Sequence, residues 1–350
     1  MHVTICVPAF NAERTLRRTL DSILVQDYPD FDVLVCDNAS TDCTAQIAEE
    51  YASRNVRYVL NPDWTQLAER NWNYVLGFAK SPLISLYHAD DVYTPTMVRR
   101  QVEFFQTHPD VSAVFTETRM INEQDRPIRM ETVLLPKELR GLECFAFPTL
   151  FNAVLKYRNF LTVPTLMTKR EALDAVGVFD LRFRSSADID LWFRLSQLGS
   201  VGVINEPLHY YRISARQTSA QIDRRRTEIA DFFRVIDDCL TRSEVVQIVQ
   251  SDAFEYYEIE KAIDSVWVAM NLLIQGDTVK AMTRLKLKEV LQWRHFRVAC
   301  YRPRHLIHLL EGVWLFVMGT LSAGMLAGRC SCWAHQMLKK WICPRISDHF

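Results

Sequence analysis

The chain of 350 residues lacks both of the glycine-rich loops that commonly bind nucleotide phosphates. Neither the GxGxxG pattern of dinucleotide-binding folds nor the GxxxxGK[ST] pattern of P-loop proteins occurs in it. A dinucleotide-dependent dehydrogenase and a P-loop kinase are therefore disfavoured. If a sheet in this chain binds a nucleotide without such a loop, a metal ion is needed to neutralise the charge of the diphosphate.

The sequence also has few of the features of secreted or nucleic-acid-binding proteins. Its nine cysteines form no CxxC pair, and Cys6 and Cys36 fall inside predicted strands, which indicates core residues in a reducing compartment. A formal net charge of -1 argues against a general nucleic-acid partner. Met1 leads almost directly into the first predicted strand with no signal peptide, so we expect a cytoplasmic location.

What is present is a regular alternation of strand and helix patterns. Short apolar runs at 3–7, 33–36, 56–59 and 83–86 have the composition of buried strands, and helical periodicity separates them. This alternation predicts an α/β fold with a mostly parallel sheet and helices on both faces. Asn11 is predicted to cap the first helix, and Ser40 or Thr41 the second.

Two adjacent carboxylates follow the strand at 83–86, in the segment Tyr87-His88-Ala89-Asp90-Asp91. Ligands of open α/β sheets collect at the carboxyl ends of the strands, and this edge also holds Pro8 and Asp37. Hard oxygen ligands suit Mg²⁺ or Mn²⁺, which share their coordination with substrate phosphates. The alternative interpretation is a solvated acidic turn.

Several segments, each weak alone, occur in an order and at distances that resemble the family 2 glycosyltransferases of the GT-A fold. Val7-Pro8-Ala9-Phe10-Asn11 resembles the opening strand of that family. Asp37-Asn38-Ala39-Ser40-Thr41-Asp42 is similar to its Asp-Asp-Gly-Ser-Thr-Asp, Ala68-Glu69-Arg70-Asn71 to its Ala-Arg-Asn, and His88-Ala89-Asp90-Asp91 to its Asp-x-Asp-Asp. Further matches, through residue 220, are Gly177-Val178-Phe179-Asp180, Ala187-Asp188-Ile189-Asp190-Leu191-Trp192-Phe193-Arg194 and Pro207-Leu208-His209-Tyr210-Tyr211-Arg212.

The resemblance implies a nucleotide-sugar donor site. Asp37 would accept a hydrogen bond from the nucleobase, most simply uracil, while the backbone at Pro8 and Ala9 packs against the ring. Arg70 would face the diphosphate, where a planar cation is effective. Asn61 is a further candidate for donor binding nearby.

The same resemblance implies a metal and a catalytic base. Asp90 would hold the Mg²⁺ or Mn²⁺ ion that bridges the two phosphates, with Asp91 beside it as a donor-binding residue. Asp188 would be the general base that removes the proton of an acceptor hydroxyl. In the family this arrangement goes with inversion at the anomeric carbon.

Each of these residues also has a plainer interpretation, and the sequence departs from the family in places. Asp188 can be a helix cap and Arg70 a solvent-facing residue, Asp37 can start a turn, and Asp190 is predicted to be structural. His88 stands where the family most often has Asp, which leaves it as a weak ligand, a ribose contact or neither. Ala187 replaces a Glu before the base, and Ser214 replaces a His. These departures affect the acceptor side and the pH optimum more than the donor side.

The last third of the chain is predicted to be a helical extension at 221–350, following a catalytic domain at 1–220. From Lys280 to Arg304 it carries eight cations and one acid, Glu289, and from Gly312 to Gly328 it has no charge. A basic segment that leads into an apolar helix is typical of a monotopic membrane anchor. A buried helix and a membrane span are the alternatives, although the run is short for a span.

The sequence therefore predicts a metal-dependent glycosyltransferase that uses a UDP- or dTDP-linked sugar and a saccharide or lipid-linked hydroxyl acceptor. We expect it to act in cell-surface polysaccharide or glycolipid synthesis, in the cytoplasm or at the inner membrane face. One rival is a nucleotidyltransferase, which would need a Gly- and Arg/Lys-rich loop after the first strand. The other is a non-catalytic membrane-associated scaffold that only binds the nucleotide sugar, which His88 and Ala187 would suit.

Overall fold

The structure is a computed structural model, and it describes residues 1–133, 135–214, 226–285 and 314. The chain divides after Ile213 into two compact units. The boundary predicted at residue 220, the segment 286–313 and the remainder of the apolar run after Trp314 lie outside the described residues.

The first unit is built on a ten-stranded sheet. The order of its main path is β3-β2-β1-β4-β9-β6-β10-β5, with β7 paired to β6 and β8 to β10. β1, β2, β3 and β4 are mutually parallel. β4 and β6 are both antiparallel to β9, so β6 and its parallel partner β10 run in the same direction as β1 to β4. The strands are β1 (Val3–Ala9), β2 (Phe31–Asp37), β3 (Val56–Leu60), β4 (Leu83–Leu86), β5 (Val92–Tyr93), β6 (Val111–Ile121), β7 (Pro127–Val133), β8 (Cys144–Phe145), β9 (Met167–Lys169) and β10 (Ser200–Arg212).

Helices cover both faces of this sheet. On one face the alternate residues Val3, Ile5 and Val7 of β1 share a buried cluster with Leu16 and Leu20 of α1. On the other face Cys36 of β2 contacts Asn71 of α3. The helices of this unit are α1 (Leu16–Leu24), α2 (Thr44–Glu50), α3 (Ala68–Leu76), α4 (Met97–Thr107), α5 (Phe147–Tyr157), α6 (Arg170–Val176) and α7 (Ala187–Leu198). The predicted α/β class is therefore confirmed. The strands carry apolar side chains on both faces because helices bury both faces of the sheet.

The predicted helix caps are wrong. Asn11 has a positive φ of 47°, and its Oδ1 accepts a hydrogen bond from the backbone N–H of Thr41 at 2.9 Å. Ser40 Oγ accepts from the backbone N–H of Asn11 at 2.8 Å. Since the loops after β1 and β2 lie side by side, these polar side chains join the two loops to each other and do not cap the helices that follow them.

The second unit is helical in the part that the structure describes, as predicted for the C-terminal extension. It comprises α8 (Asp231–Leu240), α9 (Ser243–Ile248), α10 (Ser251–Ile274) and α11 (Thr278–Leu285). Ala281 and Leu285 of α11 are buried in one cluster with Val266 and Leu273 of α10. Within the described residues, none of the helices combines the length and the apolar character that a membrane crossing requires.

Candidate active site

Three neighbouring parallel strands, β2, β1 and β4, end at the same edge of the sheet, on or just before polar residues. β1 ends at Ala9, which is in register with Asp37 at the end of β2. β4 pairs with the other side of β1 and ends at Leu86, just before His88 and Asp90. The residues that the sequence places at strand ends are therefore brought together here, as expected for a ligand site in an open α/β sheet.

Asp37 is almost completely buried at this edge, with 1% of its surface exposed. Its Oδ1 accepts from the backbone N–H of Ser40 at 2.9 Å, and its Oδ2 accepts from the Tyr58 hydroxyl at 3.0 Å. Burial and the Asp37 charge raise the pKa of Tyr58 to about 12, so the phenol stays a donor. The two contacts fix the carboxylate and leave its remaining lone pairs for another donor.

Two exposed aromatic rings lie beside the end of β1, where Pro8 is half-buried. Phe10 is 46% exposed and Trp64 is 50% exposed, and their ring centroids are 6.2 Å apart. Asn38 ties the loop of Trp64 to this edge, because its amide donates to Thr65 O at 2.8 Å. Large exposed apolar rings that lie together are typical of a ligand surface. Phe10 is inside a motif read from the sequence, whereas no sequence signal marks Trp64.

The segment Ala68-Glu69-Arg70-Asn71 forms the first turn of α3. Arg70 is exposed, and its guanidinium has no hydrogen-bond or ion-pair partner among the residues described. Asn71 is buried and donates to Cys36 O at 3.2 Å, and its Oδ1 accepts from Asn61 at 3.0 Å. Asn61 is therefore tied by its amide to the interior, while Arg70 keeps a free cation at the surface.

His88, Asp90 and Asp91 form a cluster that can hold a metal ion. One potential ligand atom from each lies within 4.8 Å of the other two. Burial raises the pKa of Asp90, as does the nearby Asp91 charge, and burial lowers the pKa of His88. His88 Nε2 is buried without a hydrogen-bond partner in the described part of the chain. Two carboxylates that are costly to bury, and an unpaired buried nitrogen, fit a divalent cation.

Asp91 is buried completely and holds β10 against the segment 88–91, the candidate metal loop. His209 Nε2 lies 2.9 Å from Asp91 Oδ2, and the backbone N–H of Arg212 donates to Oδ1 at 2.8 Å. His209 Nδ1 in turn lies 3.0 Å from Thr118 Oγ1, and burial lowers the pKa of His209 to about 3. The contact with the nucleotide-sugar donor that is predicted for Asp91 stays a prediction. Each carboxylate oxygen of Asp91 already has a hydrogen-bond partner inside the protein.

The backbone of the metal loop is fixed from two further directions. Thr19 Oγ1 of α1 donates to Ala89 O and to Asp91 O, at 3.0 and 2.8 Å. The backbone N–H of His88 donates to the Tyr93 hydroxyl at 2.7 Å. A loop held in this way presents its ligands without a large ordering cost when a cation binds.

Asp188 lies in the first turn of α7 and is partly buried. Its Oδ2 accepts from the Asn159 amide at 2.8 Å, and its Oδ1 accepts from the backbone N–H of Ile189. Burial, together with the Glu69 charge, raises the pKa of Asp188 to about 7. This value suits a group that accepts a proton near neutral pH. Asp190, by contrast, bonds Arg194 at 2.8 Å, in keeping with its predicted structural role.

Helix α3 links the metal loop to the segment that leads to Asp188. The Trp72 ring stacks on the His88 ring, with centroids 5.5 Å apart, and meets the Phe179 ring edge-on at 5.1 Å. Asn73 donates to Phe179 O at 2.8 Å and accepts from Phe179 N–H at 3.0 Å. Asn73 and Phe179 are 106 positions apart in the sequence, and no local sequence pattern predicts their contact.

The sheet, with carboxylates at its strand ends and on α7, has the arrangement typical of nucleotide-sugar-dependent glycosyltransferases. The chain belongs to glycosyl transferase family 2, because the model of that family matches residues 4–188.

Two curated relatives agree with this assignment. An uncharacterized glycosyltransferase of Nostoc sp. (strain PCC 7120) is 26% identical over 257 residues, covering 69% of this chain and 76% of the relative. The UDP-Glc:alpha-D-GlcNAc-diphosphoundecaprenol beta-1,3-glucosyltransferase WfaP of Escherichia coli is 26% identical over 222 residues, covering 62% of this chain and 80% of that protein.

Solved structures show the same fold. S. aureus TarS 1–349 in complex with UDP-GlcNAc matches with a TM-score of 0.56 at 15% identity, covering 83% of this chain and 90% of that chain. The mannosyltransferase PcManGT of Pyrobaculum calidifontis in complex with GDP-Man and Mn²⁺ matches with a TM-score of 0.52 at 18% identity, covering 95% and 87%. The predicted GT-A fold is confirmed.

Proposed function

We propose that this chain is a metal-dependent, inverting glycosyltransferase that moves a sugar from a UDP- or dTDP-linked donor to the hydroxyl group of a saccharide or lipid-linked acceptor. The observation that carries the proposal is the placement of Asp37, the His88–Asp91 loop and the base-bearing segment around the ends of neighbouring strands and helix α3. Family membership favours this function over nucleotidyl transfer. The raised pKa of Asp188 favours it over a binding scaffold, which needs no base.

On the donor side, Asp37 accepts the N–H at the pairing edge of a uracil or thymine ring. Phe10 and Trp64 cover the faces of the base and ribose, beside the backbone of Pro8 and Ala9. Arg70, which is exposed and has no partner among the described residues, contacts the diphosphate, for which its planar guanidinium is well suited. The complex of TarS with UDP-GlcNAc supports a uridine donor.

Asp90 would be the principal ligand of the cation, which would be Mg²⁺ or Mn²⁺, a choice that the Mn²⁺ in the PcManGT complex supports. When bound, the cation stabilises the negative charge of the departing nucleoside diphosphate. Asp91 keeps the loop in place through its bonds to β10. Arg212 assists, because its Nε donates to Asp90 O at 2.8 Å.

On the acceptor side, Asp188 takes the proton of the attacking hydroxyl. A base that directs the hydroxyl to the face of the sugar opposite the diphosphate produces inversion in a single displacement. Asn159 holds the carboxylate in position. Glu69 raises its proton affinity, which compensates for the missing acid at Ala187.

We further propose a role in the synthesis of surface polysaccharide or glycolipid at the inner face of the cytoplasmic membrane. WfaP, whose name specifies a diphosphoundecaprenol acceptor, supports a lipid-linked substrate. The basic segment from Lys280 to Arg304 would bring the enzyme to an anionic surface.

A donor screen tests the proposal. UDP-, dTDP-, GDP- and CDP-sugars are compared by thermal shift and by nucleotide release, with Mn²⁺, with Mg²⁺ and with chelator. We expect stabilisation by one or more UDP- or dTDP-sugars that depends on the cation, and slow release of the nucleotide to water when no acceptor is present.

Asp90→Asn is expected to abolish most of the cation-dependent stabilisation and turnover, because a neutral amide is a poor ligand for a hard cation. The matched control is Asp110→Asn, since Asp110 is an exposed carboxylate just before the amino-terminal end of β6. Full Mn²⁺-dependent activity in Asp90→Asn, or a wild type that no nucleotide sugar stabilises, would overturn the proposal.

A further inference from the structure

His88 introduces an imidazole into a cluster that otherwise offers carboxylate oxygens. Its backbone is fixed by the 2.7 Å hydrogen bond to Tyr93, so the ring has little freedom to leave the cluster. Within the cluster, His88 Nδ1 lies 3.9 Å from Asp91 Oδ2, which is too long for a hydrogen bond.

The ring is also held from the side of α3. Trp72 stacks on it at a centroid distance of 5.5 Å and an interplanar angle of 29°. Such stacking fixes the plane of the imidazole and therefore the directions in which its two ring nitrogens point. His88 Nε2 is buried and has no hydrogen-bond partner in the described part of the chain, and a bound ligand would offset the cost of its burial.

We propose that the His88 imidazole is a nitrogen ligand of the divalent cation held by Asp90, and that this ligand makes the site prefer Mn²⁺ to Mg²⁺. The inference rests on the metal dependence in the proposed function. Carboxylate and water ligands suit Mg²⁺, whereas imidazole favours the transition metals, whose affinities for nitrogen rise from Mn²⁺ onwards. Trp72 acts as a positioning residue that holds the ring for this role.

Electron paramagnetic resonance of Mn²⁺ bound to the full chain with UDP tests the proposal without turnover. Electron spin echo modulation by ¹⁴N reports an imidazole bound directly to Mn²⁺. We expect this modulation in the wild type, its loss in His88→Ala, and its retention in His2→Gln. His2 is the matched control, because it lies beside Asp30 and Asp32 at 2.8 and 3.1 Å, before the amino-terminal end of β1.

Titration calorimetry provides the second readout. His88→Ala is expected to weaken Mn²⁺ binding in the presence of UDP by about tenfold or more, since even a supporting partner of a metal ligand contributes about that much. His88→Asp is expected to bind both cations and to lower the Mn²⁺ to Mg²⁺ affinity ratio. His88→Asp keeps three polar ligands in the cluster, so it is the test variant to use if His88→Ala fails to fold.

The outcomes separate this inference from the proposed function. Mn²⁺ that binds with UDP and depends on Asp90, yet shows no ¹⁴N modulation, overturns the role of His88 and leaves the proposed function intact. An equal loss of UDP affinity in His88→Ala with Mn²⁺ and with chelator, without a change in the spectrum, makes His88 a nucleotide contact and also overturns it. A wild type that binds no Mn²⁺ in the presence of UDP removes the metal dependence itself.

Discussion

At the scale of single residues, the surroundings of Asp188 suit a proton acceptor that works near neutral pH. Its pKa is raised from 3.8 to about 7, first by burial and then by the Glu69 charge. Because the ionised form is the active base, activity should rise with pH through about 7 and level off above it. Asp188→Asn should lower kcat by roughly 10²- to 10⁴-fold with little change in UDP affinity.

The same raised pKa has a consequence for stability. The folded protein binds the Asp188 proton more tightly than the unfolded chain does, so this contribution to stability is present below pH 3.8 and is lost as the pH rises through about 7. Asp188→Asn should therefore raise the Tm at pH 8 more than at pH 5. A flat pH–rate profile from pH 5 to 9, or equal losses of binding and turnover in the variant, would show that Asp188 is structural.

Asn159 offers an independent measurement of the base. Its amide donates to Asp188 Oδ2 at 2.8 Å and so stabilises the carboxylate over the acid. Asn159→Ala should shift the rise of the pH–rate profile upward by about one unit, since a hydrogen bond to a charged group contributes about 1.5 kcal/mol. Kinetics between pH 5 and 9 measure the shift. A profile that loses height without moving would indicate that Asn159 only supports the fold.

In the proposed donor site, the nucleobase preference depends on the charge of Asp37. A carboxylate accepts the ring N–H of uracil but offers no donor to the unprotonated ring nitrogen of cytosine, so UDP should bind better than CDP. Asp37→Asn should weaken UDP binding by about 1.5–3 kcal/mol and reduce or reverse the preference. Calorimetry with both nucleotides measures the change. Tyr58→Phe is the matched control, because it removes the bond to Asp37 Oδ2 and keeps the carboxylate; equal UDP and CDP affinity in the wild type would contradict the prediction.

At the scale of elements, α3 is the part that connects the proposed donor side to the proposed acceptor side. Asn71 reaches β2, Trp72 stacks on His88, and Asn73 is bonded to Phe179 in the segment before α7. Asn73→Ala should lower kcat tenfold or more while the Kd for UDP changes less than threefold. The variant removes the hydrogen bonds that hold the segment before Asp188 and leaves the contacts of the donor pocket unchanged.

Val75→Ala is a suitable comparison for that variant. Val75 is completely buried in the same helix, so its truncation destabilises α3 without removing the bonds to Phe179. If the two variants lose the same amount of Tm and the same amount of kcat, α3 acts through stability alone and the link has no separate role.

The comparison of sequence with structure is clearest for the same elements. The apolar runs predict β1 to β4, because buried parallel strands need continuous apolar residues, and the register of these strands brings the segments that carry Asp37 and Asp90 to one edge. The partners of Asp91 on β10, at Arg212 and His209, are separated from it by 121 and 118 positions. No local pattern predicts such pairs, since they follow from the strand order around β10.

The error over Asn11 has the same physical origin. A polar residue after a strand satisfies backbone groups equally well in its own helix or in an adjacent loop, and the choice depends on which loop lies beside it. Glu69 shows the converse case. It lies next to Arg70 in the same helical segment, and the sequence gives it no role of its own. Only the folded structure shows that its charge raises the proton affinity of Asp188.

At the scale of the whole molecule, the charge distribution suggests how the enzyme meets its acceptor. The overall formal charge is -1, yet Lys280 to Arg304 carries eight cations against one acid. Each cation near an anionic leaflet contributes roughly 1 kcal/mol, within about a Debye length of the surface. The uncharged run from Gly312 to Gly328 would add binding that salt does not screen.

Flotation with vesicles distinguishes the modes of association. The full chain should bind vesicles that contain phosphatidylglycerol, bind neutral phosphatidylcholine vesicles less, and retain part of its binding at high salt. Replacing Lys286, Lys288, Arg294 and Arg297 with Gln should lower the partition coefficient at low salt by tenfold or more, because about half of the electrostatic attraction is removed. A chain truncated before Gly312 should keep the salt-sensitive part only. Binding that resists both salt and carbonate would indicate a span, and a full chain that never floats, together with a truncation that aggregates, would show that the run is part of the protein core.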